Sequence, residues 1–426
     1  MLHLATVDLG HAGYGYLPTA NRLTGKMTKI YLPRKHKAKG RQMMNSGLKR
    51  MECGFSRRQV FCCGLSFLAI CAPGVSHAQS SVTLYGIIDT GVEYVTNVGP
   101  QKSSVVRSPS LTGSIPSRWG FRGKEDLGGG FSAVFVLESG FAPSTGALNQ
   151  GGRLFGRQAY VGLSGRWGTF TVGRQYSQIY WALPGDTMGP NVYAAGDLDP
   201  YLAQPRLDNA IAYTFTSSGL TVGATYSLGR DAVDPAGAGG CAGQSPTNWR
   251  ACKSMSAMVK YDGGTWGVAT AFDRNYGGGG VGSPLPLSSQ TDTRAVIDGY
   301  VKFGASTIGA GFLHRINHGV QTPTLFDAVS NYWWLGGTYF PVPQIAIDAQ
   351  FGHISVNGGS AAGASLVAAR ATYLLSKRSS VYVTAGRVFN QRNGAFTIDG
   401  GVIPPASTPL PGVNQTGAMV GIRHNF

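Results

Sequence analysis

From Ser81 onward, hydrophobic and polar residues alternate with a period of two in one segment after another. In the final segment one face carries Thr416, Ala418, Val420, Ile422, His424 and Phe426, and the other carries Gln415, Gly417, Met419, Gly421, Arg423 and Asn425. This alternation is typical of a β-strand with one apolar face. Because an unpaired strand edge is not tolerated in lipid, the pattern predicts that this strand closes a membrane barrel by pairing with the first strand.

Alternating segments of this kind predict sixteen strands. They are 82–96, 116–126, 131–141, 153–164, 169–177, 206–216, 220–228, 254–262, 265–274, 292–303, 306–315, 329–340, 344–355, 364–375, 380–390 and 415–426. Tight links at 128–130, 165–168, 217–219, 263–264, 304–305, 341–343 and 376–379 alternate with long links at 97–115, 142–152, 178–205, 229–253, 275–291, 316–328, 356–363 and 391–414. Successive strands therefore run antiparallel, with every tight turn on one side. The predicted fold is all-β, a transmembrane antiparallel up-and-down β-barrel of sixteen strands.

Alternation within the second predicted strand gives the direction of its side chains. Trp119 and Phe121 lie on one face, and Arg118, Arg122 and Lys124 lie on the other. A wall between lipid and water requires the aromatic side chains outside and the cations inside. The opposite register would place three cations in lipid, at about 2–4 kcal/mol each near the midplane.

Aromatic residues near strand ends, namely Tyr332, Trp333, Trp334, Tyr339 and Phe340, predict interfacial girdles. A soluble β-sandwich would show similar alternation. It is disfavoured because sandwiches seldom alternate seven tight and eight long links in sequence.

Composition supports a membrane barrel. The 426 residues include 63 Gly, and 13% are charged, against typical values of about 7% and about 25%. No apolar run reaches the roughly 18 residues that a spanning helix needs. Any membrane crossing is therefore made by strands.

The longest apolar run, Val60–Ala72, follows Arg57 and Arg58 and ends in small residues. This pattern predicts a secretory signal over 51–78, cleaved after Ala78, and a mature barrel over 79–426. Twin-arginine and lipoprotein signals are weaker alternatives.

Residues 1–50 contain ten Lys/Arg against Asp8 alone. We interpret them as an overextended reading frame, with translation starting at Met51, Met43 or Met44. A basic arm that binds nucleic acid or anionic lipid is the alternative. Removing residues 1–78 leaves 24 Lys/Arg and 18 Asp/Glu, so the net charge falls from +16 to +6.

Four of the six cysteines precede the predicted cleavage site, and Cys241 and Cys252 share one long link. An exported chain meets oxidising conditions, which favour a disulfide between these two. A metal or redox site is disfavoured because no His or acidic cluster surrounds them.

A sixteen-stranded barrel leaves an aqueous channel, whereas eight strands fill their interior. Several motifs resemble the general trimeric porins of Gram-negative outer membranes. They are Ser117–Gly123, Glu125–Gly128, Gly156–Gly165, Gly168–Tyr176, Arg206–Phe215, Tyr373–Lys377 and Gly421–Phe426. The resemblance covers essentially Ser81–Phe426.

The resemblance implies that the third long loop, 178–205, folds into the lumen and narrows it. It places Arg118, Arg157 and Arg206 on one wall of the constriction and Glu138 as an inward acid. The loop lacks the family's usual acidic Pro-Glu-Phe-Gly-Gly run and has only Leu183-Pro184-Gly185-Asp186. We expect Asp186 to face the arginines, with Asp197 and Asp199 as alternatives. Further lumen candidates are Arg122, Lys124, Arg174, Asp208, Asp197 and Asp199.

The implied function is passive diffusion of small hydrophilic solutes and ions across the outer membrane, with a modest preference for anions. The implied partners are two further copies of the chain in a homotrimer, outer-membrane lipid and lipopolysaccharide, and the barrel assembly machinery, for which Phe426 serves as a signal. No cofactor, metal or nucleic acid is expected.

Three other functions are open to a barrel of this kind. An enzyme is disfavoured because His314, His318, His353 and His424 lie beside no obvious nucleophile or metal-ligand spacing. A substrate-specific channel needs an aromatic path in the lumen, which alternation alone does not reveal. A surface adhesin would use the barrel only as an anchor.

Overall fold

The computed structural model describes residues 81–189, 191–231, 241, 243–280, 283–319, 328–357, 362–399 and 407–426. The chain divides into two units, residues 1–73 and 74–426, and every described residue belongs to the second. The predicted signal and the N-terminal extension lie outside the described residues. No helix in the described ranges is long and apolar enough to cross a membrane.

Seventeen strands form one sheet, and sixteen of them make the barrel wall. They are β1 (Ser81–Val98), β2 (Ser103–Arg107), β3 (Arg118–Gly128), β4 (Phe131–Gly140), β5 (Gln158–Gly165), β6 (Gly168–Tyr176), β7 (Arg206–Ser217), β8 (Leu220–Ser227), β9 (Ser254–Asp262), β10 (Trp266–Tyr276), β11 (Thr291–Phe303), β12 (Ser306–Asn317), β13 (Ala328–Val342), β14 (Ile345–Asn357), β15 (Ala362–Leu374), β16 (Ser379–Arg392) and β17 (Gln415–Asn425). Short helical segments are α1 (Asn149–Gly152), α2 (Gln178–Trp181) and a 3-10 turn at Ala195–Asp197. The sixteen predicted wall strands are confirmed.

The first and last strands close the barrel. β1 pairs antiparallel with β17, from Ile87 opposite Asn425 to Val95 opposite Gly417. Gly86 and Phe426 extend this seam, because each backbone N–H donates to the other's carbonyl, at 3.1 and 3.0 Å. The Phe426 ring occupies the space where a Gly86 side chain would lie.

Outward and inward faces of β17 follow the predicted alternation. Val420 and Ile422 are 64% and 50% exposed on the outer face, whereas Gln415 and Met419 are buried inside. This is the lipid-facing register that the sequence predicts.

Tight turns between wall strands rely on glycine. Gly128, Gly129 and Gly130 connect β3 to β4 with φ values of 80°, 61° and 82°. Residues with a side chain rarely adopt these left-handed conformations.

Two strand predictions differ from the structure. The short strand β2 was not predicted, and it pairs with the outer part of β1 beyond the segment that pairs with β3. The predicted strand over 153–164 begins only at Gln158, and Arg153 and Arg157 precede it, with side chains in ion pairs at the barrel mouth and in the lumen.

The aromatic girdle prediction is wrong for two residues. Tyr332 and Trp334 are 0% and 1% exposed and belong to the buried cluster inside the barrel. Trp333 and Tyr339 are 42% and 58% exposed, as expected for outward-facing positions.

Candidate functional site: the charged lumen

The loop after β6 enters the barrel and begins on the wall formed by β8–β10. Ser177 donates from its hydroxyl to Asp273 at 2.6 Å, and the backbone N–H of Gln178 donates to the hydroxyl of Ser256 at 2.7 Å. The Gln178 amide also donates to Thr225 at 2.8 Å. These contacts fix α2 against the inner surface.

The middle of the loop lies directly on the wall backbone. A Cβ on Gly185 would approach the carbonyl oxygen of Gly299 to 2.1 Å, and one on Gly309 would approach the carbonyl oxygen of Gly185 to 2.2 Å. The Gly185 N–H donates to the Asp298 carboxylate. Three glycines therefore allow a contact that side chains would block.

The tip of the loop reaches the opposite part of the wall. Tyr193 donates from its hydroxyl to Glu93 on β1 at 2.8 Å, and the Asn191 amide donates to the backbone carbonyl of Thr112 at 2.5 Å. The Tyr193 N–H donates to the carbonyl of Ile398 at 3.4 Å. The first and last long loops thus also fold inward, which the sequence did not predict.

A buried ion pair holds the returning segment. Arg294 on β11 contacts Asp199 of the loop at 2.9 Å and Asp292 of its own strand at 2.8 Å, and its side chain is 1% exposed. Its guanidinium carbon also lies 4.2 Å from the centre of the Tyr201 ring. Tyr201 donates in turn to Asp273 at 2.9 Å.

The loop therefore packs against a large part of the lumen wall. Its apolar residues and the inner faces of β10–β15 form one buried cluster that includes Leu198, Leu313 and Leu366. On β3, by contrast, Arg122 and Lys124 remain exposed, with Arg122 lying 5.2 Å from the centre of the Tyr85 ring.

Three arginines lie beside the inward loop, and two of them contact one carboxylate. Arg157 and Arg206 are buried, at 2% and 4% exposure. Arg157 donates from Nε to Glu138 at 2.7 Å, and Nε of Arg118 lies 3.8 Å from the same carboxylate. Tyr85 donates to Glu138 at 3.0 Å. A Cβ on Gly120 would lie 3.1 Å from the Tyr85 hydroxyl, so this glycine leaves room for the contact.

Tyr176 joins the third arginine to the group. Its hydroxyl accepts hydrogen bonds from Arg157 at 2.7 Å and Arg206 at 3.0 Å. The guanidinium of Arg206 lies 4.9 Å from the centre of the Tyr176 ring, and its Nε and Nη1 have no partner in the described part of the chain. We call Arg118, Arg157, Arg206 and Glu138 the arginine cluster; its formal charge is +2.

The three loop acids interact with other charged groups. In the described ranges, none of Asp186, Asp197 and Asp199 forms an ion pair with Arg118, Arg157 or Arg206. Asp199 pairs with Arg294, and Arg370 is the cation that acts on Asp186. Burial raises the pKa of Asp197 well above its usual range, and the nearby Asp399 raises it further. The sequence-based choice of Asp186 therefore differs from the geometry, because the loop crosses to the far wall before it reaches this residue.

A second charged group lies at the mouth of the barrel. Arg174 contacts Asp208 at 2.6 Å and Asp231 at 2.8 Å, and Arg153 contacts the same two acids at 3.0 and 2.9 Å. Arg174 thus joins β6 to β7 through Asp208 and to the loop after β8 through Asp231.

Cys241 and Cys252 are joined by a disulfide, with their Cα atoms 5.3 Å apart. The backbone N–H of Arg230 donates to the Cys252 carbonyl at 2.8 Å. The bridge therefore lies next to the charged group at the mouth.

We expect the packing of the inward loop to depend on pH through Asp186. Burial raises the pKa of this carboxyl to about 7, against about 3.9 in an unfolded chain. A raised pKa favours the folded loop fully below about pH 4, and this stabilisation is lost as the pH rises through about 7. Current fluctuations in planar bilayers should therefore increase from pH 5 to pH 8 in the wild type and stay constant in Asp186→Asn. Asp126→Asn, at the exposed end of β3, should behave as wild type; equal pH dependence in Asp186→Asn would contradict the assignment.

Sequence reasoning missed Tyr85, Tyr176 and Arg294. Tyr176 lies inside the motif Gly168–Tyr176, but its role depends on residues from two other strands. Among the described residues, His, Cys, Asp and Glu side chains form no group of three or more suited to a metal ion.

An antiparallel barrel of sixteen wall strands, with a charged lumen narrowed by an inward loop, defines the class of outer-membrane channel proteins. A family model described as Gram-negative porin matches residues 64–393. The chain belongs to the Gram-negative porin family, and it is an outer-membrane barrel rather than an enzyme.

Individual relatives agree with this assignment. Outer membrane porin protein 32 of Delftia acidovorans is 28% identical over 395 residues, 85% of this chain and 99% of that protein. An outer membrane porin protein of Bordetella pertussis is 36% identical over 217 residues, 47% of this chain but only 56% of that protein.

Solved structures share the fold. An anion-selective porin from Comamonas acidovorans superposes with a TM-score of 0.63 at 22% identity, covering 82% of this chain and 100% of that one. A trimer form of OmpT, an outer membrane protein of Vibrio cholerae, gives 0.57 at 16% identity, covering 82% and 99%.

Proposed function

We propose that this protein is a general diffusion porin that passes small hydrophilic solutes and ions and prefers anions modestly. Arg118, Arg157 and Arg206 form the constriction wall, with Glu138 paired to Arg157 and lying beside Arg118. The observation that carries the proposal is the imbalance of three guanidinium groups against one carboxylate. A surplus of fixed positive charge beside a narrow aqueous path attracts anions and repels cations.

Further observations support this proposal. The mature chain would carry a net charge of +6, and Arg122 and Lys124 extend the positive surface along β3. The relative from Comamonas acidovorans is titled an anion-selective porin. Of the loop acids, Asp199 is already neutralised by Arg294.

Reversal potentials of the purified protein in a potassium chloride gradient across planar bilayers test the proposal. The expected sign is that of chloride moving faster than potassium. A potential of the opposite sign would reject anion preference, and failure to conduct would reject the channel. Liposome swelling by small neutral sugars separates a channel from a barrel that only anchors surface loops, since an anchor passes none.

We also propose how the protein assembles in the membrane and which molecules surround it there. The protein acts as a homotrimer in outer-membrane lipid and lipopolysaccharide, as the trimer form of OmpT supports for the fold. Residues 51–78 direct export and are removed after Ala78.

Removing the Phe426 ring should reduce assembly before it alters conductance. The ring covers Gly86 at the seam and lies outside the lumen. We expect Phe426→Ala to give severalfold less folded barrel in outer-membrane fractions, with unchanged single-channel conductance. Phe303→Ala is the matched control, because Phe303 is another outward-facing aromatic residue near a tight turn and is 63% exposed. Normal assembly of Phe426→Ala would show that the ring is not an assembly signal.

A further inference from the structure

A recess in the lumen wall lies below the inward loop, between β5 and β9. Its volume is about 320 Å³, at the lower end of the range of about 300–1,000 Å³ that ligand pockets occupy. It lies in the half of the barrel nearest the tight turns, because Thr169, Thr214 and Lys260 each lie a few residues from such a turn. A solute that has passed the arginine cluster meets this recess before it leaves the channel.

An exposed indole forms one side of the recess. Trp181, the last residue of α2, is 47% exposed although it lies inside the barrel. Its ring meets Tyr180 edge-on, with centroids 5.0 Å apart and planes at 88°, and Tyr180 stacks on Tyr176 at 3.8 Å. These contacts hold the indole in place and leave Trp181 47% exposed.

Neutral hydrogen-bonding groups form the other sides. Gln158, Tyr160 and Thr214 line the recess, and no protein hydrogen bond occupies their side-chain polar atoms within the described ranges. The lining contains one charged side chain, Lys260, and no carboxylate. An anion would gain more from the three arginines of the cluster than from this single cation.

We propose that this recess is a weak binding site for neutral pyranose sugars. Pyranose rings present an apolar C–H face that stacks on an aromatic ring, while their hydroxyls both donate and accept hydrogen bonds. A half-exposed indole beside free amide and hydroxyl groups matches both properties. Weak binding inside a channel favours entry of a solute that the arginine cluster does not attract, provided that the solute can also leave. The inference rests on the proposed diffusion function and adds a solute class to it.

Sugar-dependent block of the ion current tests the site. D-glucose and D-sorbitol have nearly equal mass, but only glucose forms a pyranose ring, so sorbitol serves as a control for viscosity and size. We expect glucose to lower the current of the wild-type channel in potassium chloride with saturation and added noise, and sorbitol to lower it only in proportion to viscosity.

Replacement of the indole should weaken the block. We expect Trp181→Ala to raise the half-blocking glucose concentration about three- to tenfold, and Trp181→Phe to raise it less. Trp249→Ala, which removes a loop tryptophan that is 75% exposed, should leave the block unchanged. If Trp181→Ala does not assemble, Gln158→Ala probes the same recess from β5 and should also raise the concentration.

The outcomes separate this site from the channel itself. A channel that conducts normally but responds equally to glucose and sorbitol overturns the sugar site and leaves the diffusion function standing. A Trp181→Ala channel with wild-type block also overturns the site. Absence of conductance in the wild type overturns the diffusion function.

Discussion

Arg118→Gln combined with Arg206→Gln is expected to abolish the preference for chloride over potassium. The two substitutions leave the pair between Arg157 and Glu138 intact, so they lower the charge of the arginine cluster from +2 to zero without isolating a buried acid. Charges a few ångströms from a permeating ion, at an effective dielectric constant between those of protein and water, change the permeability ratio by about three- to tenfold. Reversal potentials in a salt gradient measure this ratio directly.

Lys377→Gln with Arg378→Gln is the matched control. Both residues are exposed on the tight turn before β16, and their replacement changes the net charge of the protein by the same amount. This control should keep the wild-type reversal potential. A control that loses selectivity as much as the cluster variant would show that total charge, rather than the cluster, sets the preference.

Arg294→Met is expected to release the inward loop and widen the channel. The substitution leaves Asp199 buried without its partner, and breaking a buried ion pair in this way costs about 3–5 kcal/mol. The loop can recover hydration of this carboxylate only by leaving the wall. Single-channel conductance should rise, and liposomes should swell with larger sugars than those that the wild type admits.

Arg315→Met separates loop release from general damage to the wall. Arg315 also pairs with Asp292, at 2.9 Å, but it makes no ion pair with the loop acid Asp199 in the described part of the chain. Its replacement should leave conductance near the wild-type value. Adding Asp199→Asn to Arg294→Met should restore part of the narrow channel, because no unpaired charge then remains in the loop. An Arg294→Met barrel that folds and conducts as wild type would show that the pair does not hold the loop.

The wall could be predicted from the sequence because its signals are local. Period-two alternation and glycine-containing turns give all sixteen wall strands within a few residues, and closure of β1 on β17 follows from the requirement to leave no edge in lipid. The same alternation separates Trp333 from Tyr332 and Trp334, since adjacent residues of a strand face opposite sides. The prediction that all three residues lie in one girdle did not take this alternation into account.

The path of the inward loop could not be predicted in the same way. It depends on contacts such as that of Tyr193 with Glu93, 100 residues earlier, and on the glycine contacts of Gly185 with the wall. Arg118, Arg157, Arg206 and Glu138 come from strands or strand starts, so resemblance located them as a group, and the structure brings them together. Asp186 belongs to the loop, which lacks the acidic run usual in the family. The local sequence pattern does not indicate where its side chain lies.

The contacts of the inward loop also have a mechanical consequence. Tyr193 fastens the loop to β1, and Asp199 fastens it to β11 on another part of the circumference. A hollow cylinder without internal support becomes elliptical under uneven lateral pressure, whereas a strut between separated points of its wall resists this deformation. The loop joins two such points, so we expect it to resist deformation of the aperture that it narrows when the surrounding membrane is stretched or compressed.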